Sequence, residues 1–106
     1  MALILTTIDS VPGKKIVQTL GVVKANTVRA KHVGKDFVAG LKNIAGGELH
    51  EYTDLLKDSR EQAIQRLEAN ATAMGADAVV NIRFTTSSIM RSASEILVYG
   101  TAVKLK

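Results

Sequence analysis

Residues 48–74, ELHEYTDLLKDSREQAIQRLEANATAM, form the longest helical signal in the chain and contain neither proline nor glycine. At 100° per residue, one stripe of this segment is largely apolar, with Ile64 on its flank. The members of the stripe are Tyr52, Leu56, Ala63, Leu67, Ala71 and Met74. Glu48 and Glu51 suit the positive end of a helix, and Gly75 follows the last periodic residue as a C′ glycine would. We therefore expect one long amphipathic helix that packs on a core.

The segments around this helix carry the residue types of β-strands. We predict strands at residues 2–7, 16–30, 77–86 and 95–106. A short helix is expected at residues 34–45, joined to the long helix by the Gly46-Gly47 elbow. The expected order is β-β-α-α-β-β, with both helices packed on an antiparallel sheet. Residues 1–106 thus form a single α+β domain, because this length supports one core.

Alternation assigns the faces of the predicted strands. In residues 77–86 we expect inward-facing side chains at Ala78, Val80, Ile82 and Phe84, and outward-facing ones at Val79, Asn81, Arg83 and Thr85. Residues 87–94 are mostly polar and are interpreted as a loose connection. Gly100 marks a close approach or a bend in the last strand.

The predicted strands at 16–30 and 95–106 carry apolar residues on both faces, which one helical hairpin cannot cover. A helix of about 24 residues is also roughly 36 Å long, about the diameter of a compact domain of this size. We therefore expect a homo-oligomer, in which another copy of the chain covers the second face.

The chain contains no cysteine, which excludes disulfides, thiol nucleophiles and cysteine-ligated metal sites. It also lacks a Gly-x-Ser-x-Gly motif, a phosphate loop and a histidine paired with a nucleophile. We therefore interpret the protein as non-enzymatic. The N-terminal segment has no basic region before its short apolar run, and no apolar run approaches the roughly 20 residues of a membrane span. A cytoplasmic location is expected.

Several short motifs, taken together and in order, resemble the YbjQ-like family of small uncharacterised proteins. They are Asp36-Phe37 with Gly40, Ala45-Gly46-Gly47, Tyr52 with Leu56, Ser59-Arg60-Glu61, residues 74–80 (MGADAVV) and residues 100–103 (GTAV). The resemblance covers nearly the whole chain. It implies a dodecin-like α+β subunit that assembles as a ring, usually a pentamer, and it brings the family's heavy-metal-binding label.

Arg60 is the most unusual residue of the long helix, because its helical angle places a charge within the apolar stripe. Asp77 and Asp36 are its candidate partners. We expect a buried or interfacial salt bridge, and the alternative is an anion site in a crevice between subunits. The Gly46-Gly47 elbow completes this candidate ligand or interface site, since paired glycines can let a ligand approach the backbone.

Metal binding has weaker support, so no metal ligand is assigned. His32 and His50 are far apart, and His50 with Glu51 or Asp54 lacks the further ligands that zinc needs. The polar face of the long helix could attract a hard cation through Asp54, Asp58, Glu61 and Glu68, although a solvated face is the simpler interpretation.

The formal net charge of +4 permits an acidic partner. The leading hypothesis is a ring-forming protein that binds a small ligand or ion where subunits meet. The alternative is nucleic-acid binding by a basic surface with Lys14, Lys15, Lys24, Arg29 and Lys31.

Overall fold

The computed structural model describes residues 2–30, 50–90 and 93–106. Within these ranges the chain forms four strands and one helix. They are β1 (Ile4–Leu5), β2 (Ile16–Ala30), α1 (His50–Ala73), β3 (Ala78–Met90) and β4 (Ala93–Leu105). The strands form one sheet in the order β1-β3-β4-β2, and α1 packs against β2 and β4. The predicted α+β class is confirmed.

The sheet is mixed, not antiparallel as predicted, because β1 runs parallel to β3. The first strand also shortens from the predicted residues 2–7 to two residues, Ile4 beside Ala78 and Leu5 beside Val79. The other two pairs, β2 with β4 and β3 with β4, are antiparallel. The predicted helix at 34–45, Asp36 and the Gly46-Gly47 elbow lie outside the described residues.

The C-terminus of α1 is closed as the sequence predicted. Gly75 has φ 82°, a left-handed conformation that favours glycine. The Gly75 N–H donates to the Thr72 carbonyl at 3.0 Å, and the Ala76 N–H donates to the Ala71 carbonyl at 3.1 Å. These two bonds form a Schellman motif, which ends the helix and directs the chain into β3.

The buried line of α1 consists mainly of small residues. Ser59, Ala63, Leu67 and Ala71 are fully buried, and Leu56 and Ile64 are partly buried. Small side chains let the helix axis come close to the sheet, and the Thr27 hydroxyl of β2 donates to the Ser59 carbonyl at 3.2 Å. The apolar stripe is therefore confirmed at its centre.

Two residues whose helical angles fall within the predicted stripe are exposed. Arg60 is exposed, because the buried line of α1 follows the i, i+4 row that begins at Ser59, and Arg60 lies beside that row. Met74 is 37% exposed, because it lies beyond the last helical residue, Ala73, where the chain turns away.

The strand β2 coincides with the predicted residues 16–30 and lies at an edge of the described sheet. Along its centre, side chains alternate. Val23, Ala25 and Thr27 are buried on the face that α1 covers. The intervening side chains lie on the other face, and Val22 and Val28 are 71% and 54% exposed.

A bulge in β3 changes which residues face the helix. Asn81 has φ 56°, and two residues, Asn81 and Ile82, lie opposite Gly100 alone. The Asn81 N–H donates to the Ile8 carbonyl at 3.0 Å, and the Ile82 N–H donates to the Thr6 carbonyl at 3.1 Å. The N-terminal segment thus holds the bulge in place.

The bulge explains why the predicted faces of β3 are partly wrong. Before it, Val79 points into the helix-covered core, and after it Ile82 does so. Val79 was predicted to face outward and is fully buried. Phe84 shares the helix-side face with Ile82 and pairs with buried Val98, yet it is 46% exposed because α1 packs mainly against β2 and β4. A strict two-residue alternation cannot anticipate the extra residue.

The N-terminal segment covers one end of the other sheet face. Val11 packs there against Ala78, Val80 and Val103, with Ile4, Ile16 and Leu105 at the margin. Both faces of this end of the sheet are therefore buried, which is why Val79 and its neighbours Ala78 and Val80 all lack solvent exposure.

The predicted loose connection at residues 87–94 is also wrong. The strands continue to Met90 and resume at Ala93, so the hairpin is longer than the apolar pattern alone indicated. Its residues keep antiparallel pairing, as with Ser87 beside Glu95 and Ser88 beside Ser94. Backbone pairing with β4 is possible for polar residues too, because it does not depend on an apolar side chain.

Gly100 is a site where a side chain is sterically excluded. A Cβ atom there would lie 2.6 Å from Val79 Cγ1 and 2.9 Å from the Val80 carbonyl oxygen. We expect Gly100→Ala to lower the free energy of unfolding by roughly 1–3 kcal/mol, because the backbone oxygen cannot move aside freely. Urea unfolding at one fixed protein concentration measures this change.

Val79→Ala provides the control for this prediction. It removes the nearest methyl group, so the Gly100→Ala loss should be smaller in the Val79→Ala background than in the native one. The loss should not vanish, since the Val80 carbonyl remains. Unchanged stability in Gly100→Ala would contradict the steric argument.

Candidate functional site

The outer edge of β2 is covered by two polar side chains of α1. The Arg66 guanidinium donates to the Asn26 carbonyl at 2.7 Å, and the Asn70 amide donates to the Lys24 carbonyl at 2.9 Å. Lys24 and Asn26 are two residues apart, so their carbonyls point the same way, and alternate carbonyls of an edge strand point away from the sheet. The helix side chains therefore satisfy backbone acceptors that a further strand would otherwise occupy.

A groove of about 550 Å³ lies along this edge, and we refer to it as the edge groove. It is lined by Lys24, Ala25, Asn26, Arg66, Asn70, Glu95 and Leu97. The Asn26 amide donates to Glu95 Oε2 at 3.0 Å, which links β2 to β4 across the wall of the groove. Its lining thus combines two cations, one carboxylate, two amides and an apolar portion.

The sheet face opposite α1 forms a second candidate surface, which we call the uncovered face. Its exposed apolar side chains are Val22 and Val28 of β2 and Tyr99 of β4, with Leu97 partly buried between the strands. The register places Lys24 beside Tyr99 and Asn26 beside Leu97, so this face and the edge groove share residues.

The structure does not bring Arg60 and Asp77 together within one subunit, and a salt bridge between subunits stays a prediction. Arg60 lies 13 residues before the last residue of α1, which is roughly 20 Å along the helix axis, whereas Asp77 follows the C-terminus. Asp77 is partly buried and its Oδ2 accepts the Leu105 N–H at 2.9 Å. Its role in the described chain is to hold the end of β4. The remaining predicted site residues, Asp36, Gly46 and Gly47, lie outside the described residues.

The described residues contain no group of three or more His, Asp or Glu side chains that could hold a metal ion. Asp54, Asp58, Glu61 and Glu68 are all exposed on α1. His50 begins the described helix, but its side chain and that of Glu51 are not described, and His32 lies outside the described ranges.

The basic residues predicted for nucleic-acid binding fall into two places. Lys15 and Lys106 exchange two backbone hydrogen bonds, of 3.2 and 2.8 Å, which brings Lys14, Lys15 and Lys106 together. Lys24 lies nine residues further along β2, roughly 30 Å away, in the edge groove. The side chain of Arg29 is not described, and Lys31 lies outside the described residues.

Sequence reasoning missed most of the edge groove. Of its lining, only Lys24 was proposed as a binding residue, and as part of a basic surface. Arg66 and Asn70 are four residues apart and so share one flank of the helix, which was a usable signal. This flank indicates a binding site only when β2 is known to be the edge strand beside it. No helix in the described ranges has the apolar length that a membrane crossing requires.

Comparison with known proteins places the whole fold in a family. The family described as "Putative heavy-metal-binding", YbjQ, matches residues 3–106. A UPF0145 protein of Colwellia psychrerythraea is 61% identical over 104 residues, which cover 98% of this chain and 99% of that protein. A UPF0145 protein of Archaeoglobus fulgidus is 58% identical over 104 residues, covering 98% and 96% of the two chains.

A solved structure has the same fold. It is a protein of unknown function of the DUF74 family from Pediococcus pentosaceus, with a TM-score of 0.67, 17% sequence identity and coverage of 98% of both chains. That identity supports the fold alone, whereas the sequence relatives extend over nearly the full length of this chain. The chain therefore belongs to the YbjQ-like, UPF0145 family of uncharacterised proteins.

Proposed function

We propose that this protein is a non-enzymatic, cytoplasmic homo-oligomer, closed as a pentameric ring, that binds a small ligand or ion at its subunit junctions. The observation that carries the proposal is the uncovered face. The subunit count comes from the resemblance to YbjQ-like proteins, whereas support for a second copy comes from the described residues.

The uncovered face exposes large apolar side chains on two neighbouring strands. Val22 is 71% exposed and Tyr99 is 39% exposed, and they lie on neighbouring strands, diagonally across the β2–β4 ladder. Full burial of a large apolar side chain is worth roughly 1.5–3 kcal/mol, so covering this surface would favour association. Contiguous apolar patches of this kind are typical of interfaces.

The shape of the subunit supports the same proposal. Its radius of gyration is 17.4 Å and its principal extents are 54 × 22 × 20 Å. A compact domain of this length has a radius of gyration of roughly 13 Å. An elongated subunit with long strands presents a large surface for its size, which favours packing against further copies.

A second copy suits the charges of this face. Lys24 lies beside Tyr99 and Glu95 beside Val28, so charged side chains of both signs border the apolar residues, as in the polar rim of an interface. The edge groove borders the face, and a ligand bound there would lie beside the neighbouring subunit. The ion of the proposal is not a thiol-bound metal, since the chain has no cysteine.

A single charge on the uncovered face tests the assembly. We expect light scattering and native mass spectrometry of the native protein to give a multiple of the 11.3 kDa subunit mass. Tyr99→Lys and Val22→Lys should lower that mass toward the monomer, because a buried, unpaired ammonium group is unfavourable in an interface.

Ile8→Lys is the matched control, since Ile8 is also about half exposed but lies outside the sheet. It should leave the mass unchanged. Circular dichroism would verify that all three variants remain folded. A native protein that is monomeric at micromolar concentration would overturn the proposal.

The alternative function, nucleic-acid binding, is favoured by one observation. The paired backbone of Lys15 and Lys106 gathers three lysines at one end of the sheet, where sequence alone showed only dispersed charges. Lysine ammonium groups contact phosphates without reading bases, so such binding would depend weakly on sequence.

A gel-shift titration at several salt concentrations tests this alternative. If three lysines contact phosphates of duplex DNA, the logarithm of the binding constant should fall with the logarithm of salt concentration with a slope of about −2.7. Lys14→Glu with Lys15→Glu should abolish the shift, whereas Lys57→Glu, at an exposed position on α1, should not. A salt-independent shift, or none, would exclude this function.

A further inference from the structure

We propose that the edge groove binds a small molecule through a phosphate or carboxylate group. The inference deepens the ligand-binding part of the proposed function and rests on it, but all the groups involved belong to one subunit. The site lies on residues distinct from Arg60, Asp77 and the glycine elbow.

Two side chains that carry hydrogen-bond donors are held in the groove by backbone carbonyls of β2 in the absence of a ligand. Arg66 uses one N–H of its guanidinium to bind the Asn26 carbonyl, and Asn70 uses its amide to bind the Lys24 carbonyl. A guanidinium has five N–H groups and an amide has two, so donors remain on both side chains. Anchoring on the backbone reduces the conformational freedom that a ligand would otherwise have to remove.

A second cation reaches the groove from the strand. Lys24 is exposed, and its ammonium group forms no hydrogen bond or ion pair with another residue in the part of the chain that the structure describes. Arg66 and Lys24 therefore offer two positive charges from two separate elements. Arginine and lysine with an adjacent amide are the usual side-chain donors for oxyanions.

Glu95 lowers the net positive charge of the groove. Removal of its charge should therefore strengthen anion binding. Its carboxylate accepts the Asn26 amide at 3.0 Å and leaves a formal charge of +1 among the lining side chains. A bound anion would be repelled by Glu95 and attracted by Lys24 and Arg66. Ala25 and Leu97 supply apolar lining, which suits a ligand with a small apolar body beside its anionic group.

Protection of the strand edge is a structural role for Arg66 and Asn70, and it accounts for their contacts with backbone carbonyls. That role involves hydrogen-bond donation and does not require the charge of Lys24 or of Glu95. Variants of these two residues therefore separate ligand binding from edge protection.

Calorimetric titration of the full chain with inorganic phosphate and, separately, with succinate at matched ionic strength tests the proposal. We expect saturable binding of at least one of the two anions. Binding of phosphate alone assigns the phosphate class, binding of succinate alone assigns the carboxylate class, and binding of both supports the shared chemistry.

The variants should change the affinity for the anion in opposite directions. Arg66→Gln should weaken binding by about tenfold and Lys24→Gln by about threefold, because each removes one attractive charge. Glu95→Gln should tighten binding by about threefold, since it removes the repulsive charge but retains an acceptor for Asn26. Arg60→Gln is the matched control, because it makes the same change at an exposed position of α1 outside the groove, and it should leave affinity unchanged.

Absence of saturable binding for both anions would overturn the inference. So would equal losses in Arg66→Gln and Arg60→Gln, or a Glu95→Gln variant with no gain in affinity. Native mass spectrometry without added anion counts the subunits independently. If the protein is a monomer that binds phosphate, only the proposed assembly is contradicted. If it is an oligomer that binds neither anion, only anion binding in the edge groove is contradicted.

Discussion

The close packing of α1 on β2 is the contact on which the described fold depends. Ser59, Ala63 and Ala71 place small side chains at the interface, and the Thr27 hydroxyl reaches the helix backbone at Ser59. Because the helix lies this close to an edge strand, its flanking residues Arg66 and Asn70 extend past the strand to its outward carbonyls. One packing contact thus both fills the core and closes the sheet edge.

A helix placed there covers one face of the sheet. The other face is covered at one end by Val11, while Val22 and Tyr99 remain exposed further along the strands. The bulge at Asn81 lies at the boundary between the covered and the exposed part of this face. Before the bulge both faces of β3 are buried, and beyond it Arg83, which lies beside Tyr99, is exposed. The bulge therefore lies where the covered end of this face meets its exposed end.

Sequence patterns predicted the elements whose physical cause is local. The long helix, its Gly75 end and the bounds of β2 depend on residues within one segment, and these were predicted correctly. The errors concern features that depend on contacts between segments distant in the sequence. The helical angle placed Arg60 in the apolar stripe. The hydrogen bond between Thr27 and Ser59, 32 residues apart, brings the Ser59 side of the helix to the sheet, and no local pattern predicts it. The parallel pairing of β1 with β3 depends on segments more than 70 residues apart.

The candidate site shows the same division between local and distant causes. Lys24 and Arg66 are unremarkable charges in their own segments, and they become neighbours only because α1 packs on β2 and β2 ends the sheet. The site that sequence favoured, Arg60 with Asp77, joined these residues because a buried charge needs a partner, and within one subunit the exposure of Arg60 removes that need.

The position of the edge groove also relates ligand binding to assembly in physical terms. Lys24, Asn26, Glu95 and Leu97 line the groove and lie on the strands of the uncovered face. A neighbouring subunit packed on that face would exclude water from the groove, and lower local polarity strengthens an ionic contact. It would also raise the penalty for leaving Lys24 and Arg66 without an anion. Linkage then requires that a ligand which binds more tightly in the assembled state also stabilises the assembly.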